Sequence, residues 1–218
     1  MVEIAVIDYG AGNLLSVRRG LEHCGAKVTV TSDREAILAA PRVVLPGVGA
    51  FGNAMKELHR LDLVEPIKKV AASGKPLLGI CLGMQLLLDE SEEFGLTEGL
   101  GLIAGRVVPV PRQAIGGEAQ KVPYIGWSGL QPAQSSPRWD ATILRGVAPG
   151  DAVYFVHSFM AEPRDPAHRI ADREQGGQRM AAVVGTGNIA GCQFHPEKSG
   201  EVGLSILRAF CAMPGKGN

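Results

Sequence analysis

Apolar residues in the first part of the chain come in short continuous runs, separated by stretches in which they recur every three or four positions. The runs read as strands and the spaced stretches as helices. Val2 to Asp8 is a short apolar strand candidate; from Leu14 to His23 the spacing becomes helical, with Leu14, Val17 and Leu21 on one face, until Gly25 stops it. A second strand is expected over Lys27 to Thr31, with Ser32 and Asp33 placed to cap the next helix. Arg42 to Leu45 reads as a third strand ending at Pro46, and Pro76 to Ile80 as a fourth that enters a helix near Leu82. Strands alternating with helices specify an α/β fold, a largely parallel central sheet with helices on both faces.

The texture changes from Pro109 to Trp139, where Pro, Gly, Gln and Ser leave only brief apolar runs such as Tyr124 to Trp127. Irregular structure or a smaller antiparallel portion is expected there. Strand-like runs return at Ala152 to Val156, Met180 to Val184 and Asn188 to Phe194, before an amphipathic helix from about Gly200 to Cys211. The sheet should therefore close with mixed strand directions. No internal repeat is present, and 218 residues with 45% hydrophobic content suit one sizeable core, so a single domain over 1–218 is expected.

Charge and cysteine usage narrow the function classes. Lys plus Arg (22) cancels Asp plus Glu (22), so net charge draws the protein neither to nucleic acid nor to an anionic membrane surface. The most apolar stretch, Pro76 to Leu88, contains Gln85 and runs into an acidic segment, and it falls well short of the roughly 20 apolar residues a bilayer span needs. The first residues lack the basic, apolar and small-residue regions of a secretory signal, which points to the cytoplasm. Cys24, Cys81, Cys192 and Cys211 form no C-x-x-C pair and are expected to be free thiols.

The sharpest chemical signal is Gly79-Ile80-Cys81-Leu82-Gly83, a G-x-C-x-G sequence where a buried strand turns into a helix. Such a turn strains its central residue and crowds its neighbours, so small residues are needed two positions before and after. It also lifts the sulfur above the sheet edge, sets it at a helix N-terminus that favours thiolate, and frees the Leu82 N–H for an oxyanion. The pentapeptide alone is equally consistent with a buried cysteine between packing glycines. A thiolate that attacks an amide needs an imidazole to protonate the departing ammonia, and a group to orient that imidazole. Gln193-Phe194-His195-Pro196-Glu197 offers both, with His195 as acid/base and Glu197 holding its far nitrogen. His23, His59 and His168 sit in polar surroundings, which leaves His157 as the other histidine candidate. Cys192 and His195 form C-x-x-H but lack the second pair of ligands zinc needs, so neither metal nor cofactor is expected. A second oxyanion donor is sought in Pro46-Gly47-Val48-Gly49, which by itself also reads as an ordinary Gly/Pro turn.

Pro46-Gly47-Val48-Gly49, the Cys81 elbow and His195-Pro196-Glu197, in this order, resemble the class I (triad-type) glutamine amidotransferases. Asp8-Tyr9-Gly10-Ala11-Gly12-Asn13, Met84-Gln85, Gly126-Trp127, Tyr154 to Ser158 and Lys198-Ser199-Gly200 are similar to the glutaminase subunits of imidazole glycerol phosphate synthases, of histidine biosynthesis, over nearly the whole chain. The resemblance implies the three-layer fold of that family and a Cys81-His195-Glu197 triad that forms a γ-glutamyl thioester, with Gly47, Val48 and Leu82 at the oxyanion hole. It implies that Gly49, Gln85, Glu93, Ser158 and Phe159 hold glutamine. Asn13, Pro123, Trp127, Tyr154 and Lys198 would face a (β/α)8-barrel cyclase subunit that receives the ammonia. The chain departs from the family at Tyr124, where a basic residue or histidine is usual, at Ser128, where asparagine is usual, and in a longer 110–121 segment. A valine in Pro-Gly-Val-Gly can hold the oxyanion peptide in the wrong orientation until a partner acts, so low activity alone is expected. Alternatives are the glutaminase subunit of another synthase, such as that of pyridoxal phosphate, a non-catalytic regulatory relative, or a thiol peptidase. Cys81, His195 and Glu197 all being present argues against the regulatory relative.

Overall fold

The computed structural model describes residues 1–134 and 138–215; positions 135–137, within the stretch expected to be irregular, and 216–218 lie outside the described residues. The chain begins with β1 (Val2–Ile7), α1 (Leu14–His23), β2 (Ala26–Thr31), α2 (Arg34–Ala39), β3 (Val43–Gly47), α3 (Phe51–Arg60), α4 (Val64–Ala72), β4 (Leu77–Cys81) and α5 (Leu82–Leu86). Shorter strands follow: β5 (Leu88–Ser91), β6 (Thr97–Glu98), β7 (Ile103–Pro109), β8 (Tyr124–Gly129) and β9 (Gln131–Pro132). The last third holds β10 (Ala152–His157), β11 (Phe159–Pro163), β12 (Arg169–Gln175), β13 (Gln178–Thr186), β14 (Ile189–Cys192) and α6 (Gly200–Cys211).

The main sheet has eight strands in the order β2-β1-β3-β4-β14-β13-β12-β9. Its first five strands are parallel neighbours and the rest antiparallel, the mixed closure expected from the sequence. Parallel strands are covered on both faces, which is why β1, β3 and β4 read as continuous apolar runs. Alternate residues then feed two cores. Ala5, Ile7, Val43, Leu45 and Leu77 pack with Ile37, Phe51, Leu58 and Ile67 of α2 to α4. Ile4, Val6, Val44, Leu78 and Ile80 pack with Val17 and Leu21 of α1 and Ile206, Leu207 and Phe210 of α6. The result is three layers, helices on each side of one sheet.

Three boundaries differ from the sequence expectation. β3 runs on through Pro46 to Gly47, because its pairing with β1 stops at Val44 and leaves that side of Pro46 without a neighbouring strand. β14 stops at Cys192; the Gln193 N–H still donates to the Ala182 carbonyl of β13, and Phe194 and His195 then turn over the sheet edge. The smaller sheet starts earlier than expected, at Leu88, in the order β11-β7-β5-β6, and contains one parallel pair, β5 with β7. A separate antiparallel pair, β8 with β10, sets Trp127 opposite Tyr154. Among the described residues no helix is long and apolar enough to cross a membrane.

Candidate active site

β3, β4 and β14 finish at one edge of the sheet: Gly47 lies opposite Cys81, and Ile80 opposite Cys192. The turns that follow these strands are therefore neighbours although their residues are far apart in sequence. Crevices at the carboxyl ends of parallel strands are where open α/β sheets bind ligands.

Cys81 occupies that edge with φ 56° and ψ −110°. A side chain held in a sparsely populated backbone region costs about 1–3 kcal/mol and persists only where the surroundings over-determine it. Here the tight packing of the turn against β3 and β4 does so, and it leaves space only for glycine at positions 79 and 83. A Cβ on Gly79 would lie 2.6 Å from the carbonyl oxygen of Gly83, and one on Gly83 would collide with the carbonyl of Leu45. Gly47 is equally confined, between Leu82 and the hydroxyl of Tyr9, which donates to the Pro46 carbonyl at 2.9 Å. Tyr9 is fully buried, so the Asp8 to Asn13 motif holds the Pro46-Gly47 segment in place through this hydroxyl.

A cavity of about 220 Å³ opens over the sulfur, lined by Val48, Gly49, Cys81, Leu82, Gln85, Glu93, Pro123, Val156, His157, Ser158, Phe159 and His195. It gathers most of the residues the sequence singled out. Gly47 is the exception among the oxyanion candidates: it ends β3 beneath the cavity and does not line it, whereas Val48, Gly49 and Leu82 do. Pro123 was assigned to the partner-facing surface, yet it also forms part of the cavity wall. Another hollow, about 350 Å³, lies at the opposite end of β4 and β14 near Gly74 and Asn188; its lining holds no cysteine, histidine or carboxylate, so it offers no comparable chemistry.

His195 stands across the cavity, 5% exposed, with Nδ1 at 2.9 Å from Glu197 Oε1. An oxygen of a carboxylate there requires Nδ1 to carry a proton, which leaves Nε2 for the sulfur side. Burial works against the imidazolium, but the Cys81 sulfur and the Glu197 carboxylate outweigh it and push the ring up to about 10. Glu197 reaches back through a 3-10 turn, Pro196–Lys198, and its side chain is 1% exposed. Helix α1 makes room for that turn at Gly20, where a Cβ would sit 3.5 Å from the Glu197 Cβ and 2.9 Å from Leu207 Cδ1.

Two side chains proposed to hold substrate also hold the framework. Gln85 donates from Nε2 to the Phe159 carbonyl at 3.1 Å and to Gln193 Oε1 at 3.0 Å. Glu93 accepts from the Phe51 N–H at 2.6 Å; the residue before α3, Ala50, has no side chain able to cap it, so Glu93 supplies the missing cap from another loop. Gln193, fully buried with Nε2 4.0 Å from the Cys81 sulfur, belongs to the same network and was not singled out from the sequence. Its signal was there: a glutamine in the otherwise apolar run before His195.

His157 is the other buried histidine, and it belongs to the cavity wall. Its Nδ1 donates to the Phe159 carbonyl at 2.8 Å. Burial, and then the charge of Arg173, push it down to about 4, so it is neutral at neutral pH and unsuited to protonating a leaving group. Arg173 is itself 1% exposed and lies 3.9 Å over the Tyr124 ring, so Tyr124 serves as an aromatic seat for a buried cation. His23 and His59 are exposed, as their surroundings implied, while His168 is only partly so.

The partner-facing candidates are placed unevenly. Trp127 is 55% exposed and packs on Tyr154 with ring centroids 5.9 Å apart. Lys198 is exposed, next in the chain to Glu197, and Asn13 caps α1 by accepting from the Ser16 N–H at 3.4 Å.

All four cysteines are free. Burial raises the Cys24 thiol, raises Cys211 to about 11, and, with the Glu197 charge added, raises Cys192 further. Iodoacetamide at neutral pH is therefore expected to modify Cys81, which lines an open cavity, well before the other three. Peptide mapping by mass spectrometry reads the result; Cys24, Cys192 or Cys211 modified with Cys81 spared would remove Cys81 as the reactive thiol.

The family model described as glutamine amidotransferase class-I matches residues 5–213. The chain is 53% identical over 210 residues to imidazole glycerol phosphate synthase subunit HisH 1 of Legionella pneumophila (strain Lens), covering 96% of this chain and 99% of that protein. It is 47% identical over 214 residues to subunit HisH of Methanosarcina mazei, covering 98% and 100%. Among solved structures, PurLQS from Thermotoga maritima superposes with a TM-score of 0.72 at 19% identity, covering 96% of this chain and 97% of that one, a likeness of fold alone. With a family model spanning almost every residue and relatives matched nearly end to end, the chain belongs to the class-I glutamine amidotransferases.

Proposed function

We propose that the whole chain, 1–218, is the glutaminase subunit of an imidazole glycerol phosphate synthase: it hydrolyses glutamine to glutamate and ammonia and passes the ammonia to a (β/α)8-barrel cyclase subunit. The observation that carries this reading is the likeness to HisH subunits over nearly the full length of both chains. In the mechanism, the Cys81 sulfur adds to the side-chain carbonyl carbon of glutamine, and the resulting oxyanion is held by the N–H groups of Leu82 and of the Val48 segment. His195 gives its Nε2 proton to the nitrogen as the C–N bond breaks, releasing ammonia and leaving a γ-glutamyl thioester. Water then attacks the thioester while His195 takes its proton, and glutamate leaves as the sulfur is restored. Support for these roles comes from the shared strand edge, the cavity over Cys81 and the His195–Glu197 contact. Gly49, Gln85, Glu93, Ser158 and Phe159 surround the space where the rest of the substrate would lie.

The partner docks, in this reading, across Asn13, Pro123, Trp127, Tyr154 and Lys198. Exposed apolar side chains at Ile125, Trp127 and Val48 favour that face. Four free thiols suit a reducing compartment, so the reaction is assigned to the cytoplasm. No cofactor enters this chemistry. The test is the rate of glutamine hydrolysis by the purified chain, alone and with the cyclase subunit carrying its nucleotide. Val48 is expected to hold the oxyanion peptide unproductively in the free chain. Reorienting it adds a hydrogen-bond donor worth roughly a hundredfold or more in rate, and equal rates with and without the cyclase would remove the proposal of partner activation.

A further inference from the structure

We infer that Ser199 is a positioning residue for His195: its hydroxyl, instead of capping the helix it precedes, clamps the His195 backbone to β10. The inference rests on His195 being the acid/base of the glutaminase reaction. Ser199 occupies the N-cap position of α6, where a serine ordinarily accepts from an N–H of the first helical turn. It makes no such bond. The side chain is 1% exposed, and its oxygen donates to the His195 carbonyl at 2.7 Å while accepting from the Tyr154 N–H at 3.0 Å. The His195 N–H in turn donates to the Tyr154 carbonyl at 3.0 Å. These three bonds close a ring through the backbones of Tyr154 and His195 and the Ser199 hydroxyl.

That ring holds the end of the histidine that Glu197 does not reach. Glu197 fixes the rotation of the imidazole through Nδ1, whereas the height of its Cα over the sheet edge depends on the tie to β10. β14 has already ended at Cys192, so no ladder bond does this work for His195. The packing leaves the turn little room to shift: a Cβ on Gly203 would collide with the Pro196 carbonyl and lie 2.9 Å from the Ser199 Cβ. Proton transfer to a leaving nitrogen is sensitive to such placement, with a displacement of about 1 Å able to cost on the order of a hundredfold.

Ser199→Ala in complex with the cyclase subunit is expected to lower kcat for glutamine hydrolysis by about tenfold. The KM for glutamine should stay within a factor of about two, because Ser199 does not line the cavity. Ile206→Val, a buried change in the helix that follows Ser199, is the stability control and is expected to lower the melting temperature while leaving kcat unchanged. Should Ser199→Ala fail to fold, Ser199→Cys keeps the volume and weakens both hydrogen bonds, and its kcat is expected to fall with KM unchanged. A folded Ser199→Ala or Ser199→Cys protein with wild-type kcat, a loss confined to KM, or a kcat drop matched by Ile206→Val would each overturn the inference. A wild-type complex that does not hydrolyse glutamine would instead overturn the glutaminase reading, so the two failures are distinct.

Discussion

Cys81→Ala is expected to abolish glutamine-dependent product formation by the reconstituted synthase while leaving its ammonia-dependent reaction at close to the wild-type rate. The two halves of this result follow from two active sites on two subunits. Without the sulfur no thioester forms, and loss of a nucleophile that acts with its base as a unit costs on the order of a millionfold in kcat. The fold should not notice. Cys81 is 7% exposed and ends β4 at φ 56°, a conformation alanine enters at a cost similar to that of cysteine, and the flanking glycines that permit the tight turn are untouched. Supplying ammonium salt at alkaline pH, where an appreciable fraction is free NH3, bypasses the glutaminase and feeds the cyclase directly. The measurement is imidazole glycerol phosphate formed by the mutant complex under each nitrogen source. A folded, partner-bound Cys81→Ala protein that ammonia cannot rescue would mean that Cys81 is not a dedicated ammonia source.

The sequence displayed the elbow plainly because the constraint behind it is local. The strand turns into a helix within one residue, Cys81 at φ 56°, and this brings backbone so close to positions 79 and 83 that only glycine fits there. The parallel strands were equally legible, since burial on both faces writes an unbroken apolar run. Burial also erased information: Pro76 to Leu88 is one apolar run, but it divides into β4, the five-residue α5 and the start of β5, and periodicity cannot separate segments buried on every side. β5 itself carries Asp89 and Glu90, whose side chains serve a half-open sheet, so it did not read as a strand. The residues missed at the site were those defined by contacts between distant parts of the chain. Gln193 meets Gln85, Arg173 lies over Tyr124, and Ser199 bridges to Tyr154; no spacing rule in one sequence records such pairs. Pro123 shows the same limit, because being exposed and lining the cavity are both true of it.

Glu197→Gln is expected to lower kcat by about a thousandfold to ten-thousandfold, the scale seen when the carboxylate that orients a catalytic histidine becomes an amide. The glutamine side chain fills the same buried space but carries no charge and offers His195 Nδ1 either an oxygen or an N–H, so the ring is no longer fixed in one tautomer. The pH profile should change in a defined direction. In the native site burial disfavours the imidazolium, while Cys81 and then Glu197 favour it strongly enough to raise it to about 10. In the proposed mechanism the departing ammonia is protonated by this imidazolium, which exists only below that value, so activity should persist to alkaline pH and decline as pH rises toward about 10. Removing the carboxylate withdraws one of the two favourable partners and leaves burial unopposed by it. The alkaline limb of kcat/KM must then move to lower pH, and because the Cys81 contribution remains, the observed value belongs to the coupled pair rather than to the histidine alone. Stability follows the same sign. A histidine raised from 6.5 to about 10 stabilises the folded state fully below 6.5 and loses that contribution as pH climbs through about 10, so the melting-temperature gap between wild type and Glu197→Gln should be widest on the acid side of neutrality and narrow toward alkaline pH. Rate profiles and melting curves across this range decide the matter: an alkaline limb that stays in place in Glu197→Gln would show that Glu197 does not hold the catalytic proton on His195.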